Sequence, residues 1–135
     1  MTPRLRPLFA ALALALAPPA LADEGAIRGV IDDQIAAFLA EDVEAAFSHA
    51  APSIQRMFRT PANFGAMVQR GYPMVWRPDA VEYLGTTERG AAWEQDVMMT
   101  DAEGRLHLLR YRMVELDGRW RIAGVELLRG PELGA

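Results

Sequence analysis

From Ala80 onward the chain is cut by turn chemistry, at Glu88-Arg89-Gly90, at Asp101-Ala102-Glu103-Gly104 and at Leu116-Asp117-Gly118. The intervening segments have strand length and are rich in Val, Tyr, Trp, Leu and Met. This punctuation predicts four antiparallel strands, near Ala80 to Thr86, Ala91 to Thr100, Arg105 to Glu115 and Arg119 to Leu128. Side chains alternate across a strand, so Leu109, Tyr111 and Met113 share one face and Leu108, Arg110, Arg112 and Val114 the other. The last strand repeats the pattern, with Trp120 and Ile122 against Arg119 and Arg121. One face of the sheet is thus expected to be apolar and the other to be rich in arginine, either an ordinary solvated face or a surface for an acidic partner.

Ahead of the strands the period changes. Ile27, Val30, Ile31, Ile35, Phe38 and Leu39 recur at three- and four-residue steps, the stripe of an amphipathic helix over about Gly25 to Ala40. Asp42 is placed to cap a short helix carrying Val43, Ala46 and Phe47, which Pro52 ends, and Ser53 to cap a further turn with Ile54, Met57 and Phe58. Thr60, Pro61 and Gly71 read as N-cap, first helical residue and terminator of a helix whose inner face is Phe64, Met67 and Val68. Phe38, Phe47, Phe58, Phe64 and Trp120 should therefore meet in one core. Helices followed by a hairpin-linked sheet are α+β order, with the helices covering one face of the sheet.

Residues 1–22 read as a cleaved secretory signal: Arg4 and Arg6, an apolar run from Phe9 to Ala17, then Ala20-Leu21-Ala22 before the cut. The run is about half of the ~20 residues that span a bilayer, and Pro18 and Pro19 interrupt it, so no membrane anchor is expected after cleavage. Residues 23–135 then form a single periplasmic or secreted domain. The whole chain carries a net charge of −4, and losing two arginines makes the remainder more acidic. Such a domain repels phosphate backbones, which argues against nucleic acid as a partner. It has no cysteine, so packing must stabilise it without disulfides.

The stretches QIAAFLAEDVEAAFSHAAPSIQRMF, FGAMVQRGYPMVWRP and DGRWRIAGVELL together resemble the domain-of-unknown-function family 4864, within the nuclear transport factor 2-like, cystatin-like fold superfamily. The resemblance runs from about Ile27 to Leu128. It implies a cone-shaped α+β fold, with helices on a curved four-stranded antiparallel sheet, and an exported bacterial protein. It implies no established activity, and it carries over no catalytic residues.

The residues offer little catalytic chemistry. His49 and His107 are the only histidines, one on a helix and one on a strand, and no cysteine assists them, so no metal site is expected. There is no Gly-x-Ser-x-Gly elbow, and no Walker or Rossmann pattern that would hold a nucleotide cofactor. Asp96 is the best-placed acid, yet alternation from Trp93 puts Gln95, Val97 and Met99 on the tryptophan's face and Asp96 on the opposite one, solvated or paired with arginine. The segment RGYPMVWRP, from Arg70 to Pro78, is the richest in recognition chemistry. If Pro73 and Pro78 hold it extended, Tyr72, Met74 and Trp76 face one way and Val75 and Arg77 the other. Its rings either seal the core or border an opening, with Arg70 and Arg77 able to clamp an anion.

These readings favour a non-catalytic binding or accessory domain that holds a small ligand or a protein partner. Candidate ligand-binding residues are Tyr72, Trp76, Arg77, Arg70, Tyr83, Trp93 and Tyr111. The competing reading is a small-molecule isomerase or hydrolase-type enzyme, as in the ketosteroid isomerase-like members of the superfold, using Asp96 with Tyr72, Tyr83 or Tyr111. A homodimer packed through its sheet is a third. Whether the cone encloses a cavity decides between the pocket readings and the others.

Overall fold

The computed structural model describes Pro3 and residues 19–129, so the arginines and apolar run of the signal reading lie outside the described residues. The first helix, α1 (Pro19–Leu39), carries the expected stripe. Ile27, Ile31, Ile35 and Phe38 are buried, whereas Val30 is half-buried and Leu39 is exposed. The helix ends in a Schellman arrangement, with Asp42 N–H donating to the Ala37 carbonyl (2.8 Å) and Glu41 N–H to the Phe38 carbonyl (3.0 Å). Glu41 takes the left-handed conformation this requires, φ 57°.

The capping residues read from the sequence form the next helices. Asp42 accepts from Ala45 N–H at the start of α2 (Val43–Ser48), and Thr60 accepts from Asn63 N–H at the start of α4 (Pro61–Gly71). Two details differ from expectation. Pro52 does not end α2 but opens α3 (Pro52–Phe58), where its missing N–H costs nothing, and Ser53 is not its cap. Gly71 is the last residue of α4 rather than the one beyond it. Gly65 permits the close crossing of α4 on α2, because a Cβ there would lie 2.6 Å from Val43 Cγ1.

The Arg70 to Pro78 segment is not extended. Pro73 begins a single helical turn, α5 (Pro73–Trp76), closed by the N–H groups of Val75 and Trp76 donating to the Tyr72 carbonyl (2.9 and 3.0 Å). Proline keeps the residue before it out of the helical region and is itself at ease at the first helical position; Tyr72, at φ −136° and ψ 58°, and Pro73 satisfy both preferences. The alternation therefore fails. Met74 and Val75, adjacent in sequence, are both buried, while Tyr72 and Trp76 are half-buried.

The strands are β1 (Ala80–Arg89), β2 (Ala92–Thr100), β3 (Leu106–Leu116) and β4 (Arg119–Arg129), joined as an antiparallel meander in sequence order. Asp117 and Gly118 both have positive φ, as the tight β3–β4 hairpin requires. Irregular register between Tyr83 and Thr86, and twice along β4, bends the sheet around the helices. The α2–α3 connection pairs with the edge of β4: Ala51 N–H donates to the Ile122 carbonyl, and Ile122 N–H to that of His49, both at 2.8 Å.

The core lies between α1 and the concave sheet face, where Val97, Met99, Leu109, Tyr111 and Met113 are fully enclosed. Phe64 is the hub of an aromatic group, with ring centroids 5.9 Å from Phe38, 5.4 Å from Phe47 and 5.8 Å from Phe58. Trp120 belongs to the same core. The outer face carries the arginines, and Arg110 holds Asp96 in a two-point ion pair (2.8 and 3.1 Å), as alternation implied.

Candidate functional site

At the end of the core beyond Phe64 the helices and sheet do not close completely. They leave a cavity of about 230 Å³. Ile54, Met57 and Phe58 of α3 form one wall, at the i, i+3, i+4 spacing that makes one helix face. Phe64, Met67 and Val68 of α4 form the second, Gln34 and Phe38 of α1 the floor, and Ile122, Gly124 and Val125 of β4 the far side. Tyr72 and Val75 close it below α4. Met57, 69 % exposed, stands at the mouth.

The lining is apolar apart from the Gln34 amide and the Tyr72 hydroxyl. Tyr72 donates to the Val125 carbonyl at 3.3 Å, which ties α4 to the outer part of β4. Gln34 is 3 % exposed and donates through Nε2 to the Ala46 carbonyl at 3.1 Å, which ties α1 to α2. No carboxylate, histidine or arginine lines this space. The site can enclose an uncharged group and shield it from water, and it offers no acid or base to act on it.

Of the residues singled out in the sequence, Tyr72 alone reaches the cavity. Trp76 packs on Phe38 (5.5 Å between centroids), with the Arg77 guanidinium 5.0 Å above its ring. Arg77 donates to the Phe38 carbonyl at 2.6 Å and the Trp76 carbonyl at 2.8 Å, and pairs with Glu41 at 3.3 Å, so it caps the C-terminal end of α1. Arg70 is exposed in the last turn of α4. Trp93 lies edge-on to Trp120 at 5.9 Å. Tyr83 donates to Asp32, and burial followed by that bond pushes its hydroxyl pKa upward. Tyr111 is wholly buried, and burial raises its pKa too. Asp96 is on the opposite face of the sheet from Tyr83 and Tyr111, held by Arg110, so no Asp–Tyr pair is assembled.

A second polar cluster lies at the β2–β3 turn. Asp101 accepts from the N–H groups of Glu103 and Arg105, from Arg105 Nε at 3.1 Å and from His107 Nε2 at 2.8 Å. The bond from His107, ahead of the backbone bonds, holds its carboxyl well below the usual range. His107 is buried, and its other ring nitrogen has no partner among the described residues. Burial lowers the pKa of His49, at the end of α2. No group of three or more metal-ligating side chains converges among the described residues. None of the described helices is long and apolar enough to cross a membrane.

Residues 20–135 match the model of the family described as "Domain of unknown function (DUF4864)". The chain belongs to this family. Its α+β architecture sets the helices ahead of a four-stranded antiparallel meander. It is similar to the solution structure of RPA3114, a SEC-C motif containing protein from Rhodopseudomonas palustris, with 18 % identity over 82 % of this chain and 88 % of that one and a TM-score of 0.58. That likeness shows a shared fold. The crystal structure of an NTF-2 like protein of unknown function from Burkholderia xenovorans LB400 is 16 % identical over 77 % of this chain and 84 % of that one, with a TM-score of 0.46. No curated protein matches the chain.

By their spacing Phe38, Phe58, Phe64, Met67 and Val68 are core residues, and no motif marks Gln34 as a site residue. One signal pointed to it. Gln34 interrupts the apolar stripe of α1 between Ile31 and Ile35, where a polar side chain must find both a partner and a reason to be there.

Proposed function

We propose that this is an exported, non-catalytic binding domain that holds a small, uncharged, largely apolar molecule in the cavity between α1, α3, α4 and β4. The observation that carries the reading is the cavity's size and lining together. An apolar cavity of ~150 Å³ in another protein stays dry and binds benzene. The present one, at about 230 Å³, has room for a substituted single ring or a short alkyl chain of similar bulk. Native interiors close voids larger than a water molecule, because unpaired walls forfeit dispersion contacts. Retaining such a void is reasonable where a guest fills it. Export rests on residues 1–22, and the fold is compatible with losing them: the first fully buried side chain among the described residues is Ile27.

The test is nuclear magnetic resonance titration of residues 23–135 with toluene. Methyl resonances of Ile54, Val68 and Ile122 should shift saturably, and filling the cavity by Val68→Phe should abolish the shifts. Saturable shifts confined to other residues would refute the assignment. Export is tested separately, by mass spectrometry of protein from a periplasmic fraction. The first residue should be Asp23, and an intact Met1 in a membrane fraction would count against it.

A further inference from the structure

The cavity's polar atoms say more about its guest than its volume does. Ala46 O is a carbonyl and can only accept, so the end of the Gln34 amide facing it at 3.1 Å must be the nitrogen. The amide oxygen is thereby directed elsewhere. It accepts no hydrogen bond from any described residue. Among the described residues three enclosed polar atoms lack partners, namely His107 Nδ1, Tyr111 Oη and Arg121 Nε, and Gln34 Oε1 is not one of them. Gln34 is only 3 % exposed and is part of the cavity lining, so the cavity is the space available to that oxygen.

Tyr72 is constrained in the same sense. Its proton is committed to Val125 O at 3.3 Å, so its oxygen also meets a guest as an acceptor. Both side-chain polar groups in the lining can therefore receive a proton, and of their own protons only the second Nε2–H of Gln34 is uncommitted among the described residues. With no arginine or histidine in the lining, an anion would be desolvated there without compensation.

Resting on the binding function proposed above, we infer that the cavity selects neutral ligands carrying a hydrogen-bond donor, such as phenols, indoles or small alkanols. It selects them over hydrocarbons of the same shape and over carboxylates, with Gln34 as the specificity-determining residue. The donor reaches Gln34 Oε1 while the apolar body rests against α3 and α4. A polar atom left unpaired in a dry site makes a ligand without the donor the poorer fit, which is the source of the discrimination.

The experiment compares phenol, toluene and benzoate on the wild-type domain and on Gln34→Leu, by calorimetry or by the methyl shifts. The desolvation of each ligand cancels between the two proteins, so the change in the phenol-to-toluene affinity ratio isolates the amide's contribution. That ratio should fall roughly three- to tenfold in Gln34→Leu, the range of one net hydrogen bond, with toluene binding equal or tighter and benzoate binding neither protein. If phenol and toluene lose affinity by the same factor, Gln34 is structural only and the inference fails while the binding function stands. If no probe binds the wild type, both fail. Should Gln34→Leu not fold, the wild type labelled with ¹³C-glutamine decides. The Gln34 Cδ resonance should move with phenol and not with toluene, and equal movement with both would overturn the inference.

Discussion

Replacing Phe64 by alanine tests the helix-on-sheet core and the cavity at once. The ring is 6 % exposed and lies within 6 Å, centroid to centroid, of Phe38, Phe47 and Phe58. Truncating a buried phenylalanine costs about 3–5 kcal/mol, and each aromatic pair contributes ~0.5–1.5 kcal/mol of stabilisation beyond burial. These terms overlap and do not add. One part of the ring borders the cavity, where it has no partner atoms to lose. The expected loss is therefore about 3 kcal/mol, the low end of the range. Against a typical stability of ~5–15 kcal/mol this leaves a folded but weakened domain. Urea unfolding should show a lower midpoint at unchanged slope, and Phe64→Leu should lose about half as much. A loss under ~1 kcal/mol would mean that Phe64 is not the hub of a packed cluster, and a loss above ~5 kcal/mol that no cavity lies beside it.

Gly65→Ala should destabilise by about 1–3 kcal/mol, the range for overpacking, despite alanine's better helix propensity. A β-branched Val43 2.6 Å away has little freedom to move, and Val43→Ala should restore most of the loss in the double variant. Arg77→Ala should cost about 1–2 kcal/mol as the Phe38 carbonyl loses its donor, with Arg77→Lys recovering only part, because a point charge cannot reach the Phe38 and Trp76 carbonyls and Glu41 together. Asp101 has a folded-state pKa depressed below its unfolded value, so its carboxylate's stabilisation is complete above about pH 5 and is lost progressively as pH falls from the ordinary aspartate value down through the depressed one. Urea midpoints of wild type and Asp101→Asn should accordingly differ most near neutrality and draw steadily closer as pH falls below about 4. Parallel curves would show that the carboxylate's charge is not what holds the turn.

The fold was legible where a local signal and the tertiary demand agree. Alternation in β3 placed Leu109, Tyr111 and Met113 inside and Arg110 outside, and the same rule sent Asp96 outward to its arginine. The caps at Asp42 and Thr60 were legible because a side-chain oxygen there satisfies a helix N–H within three residues. Pro73 and Pro52 were ambiguous because proline can both stop a helix and start one, and in both places it starts one after a non-helical residue. Nothing local to His107 marks it as half of a buried pair. Its partner Asp101 looked like turn chemistry alone, and only the closed hairpin brings the two within 2.8 Å.

The site was less legible because what makes it a site is missing packing, and a sequence has no notation for space left unfilled. Phe58, Met67 and Val68 would read identically if α3 lay one methyl group closer to β4. Reactive groups attract attention in a sequence, and here they are spent on structure: Arg77 caps a helix, Asp96 is ion-paired and Tyr83 donates to Asp32. Gln34 is the exception. A glutamine on the buried stripe of an amphipathic helix must satisfy two ends; Ala46 satisfies one, and the residue lines the cavity. A polar residue that interrupts an apolar period with half its hydrogen-bonding capacity unused is therefore the trace such a cavity leaves in one dimension. It becomes readable only when the partner of its first half is known.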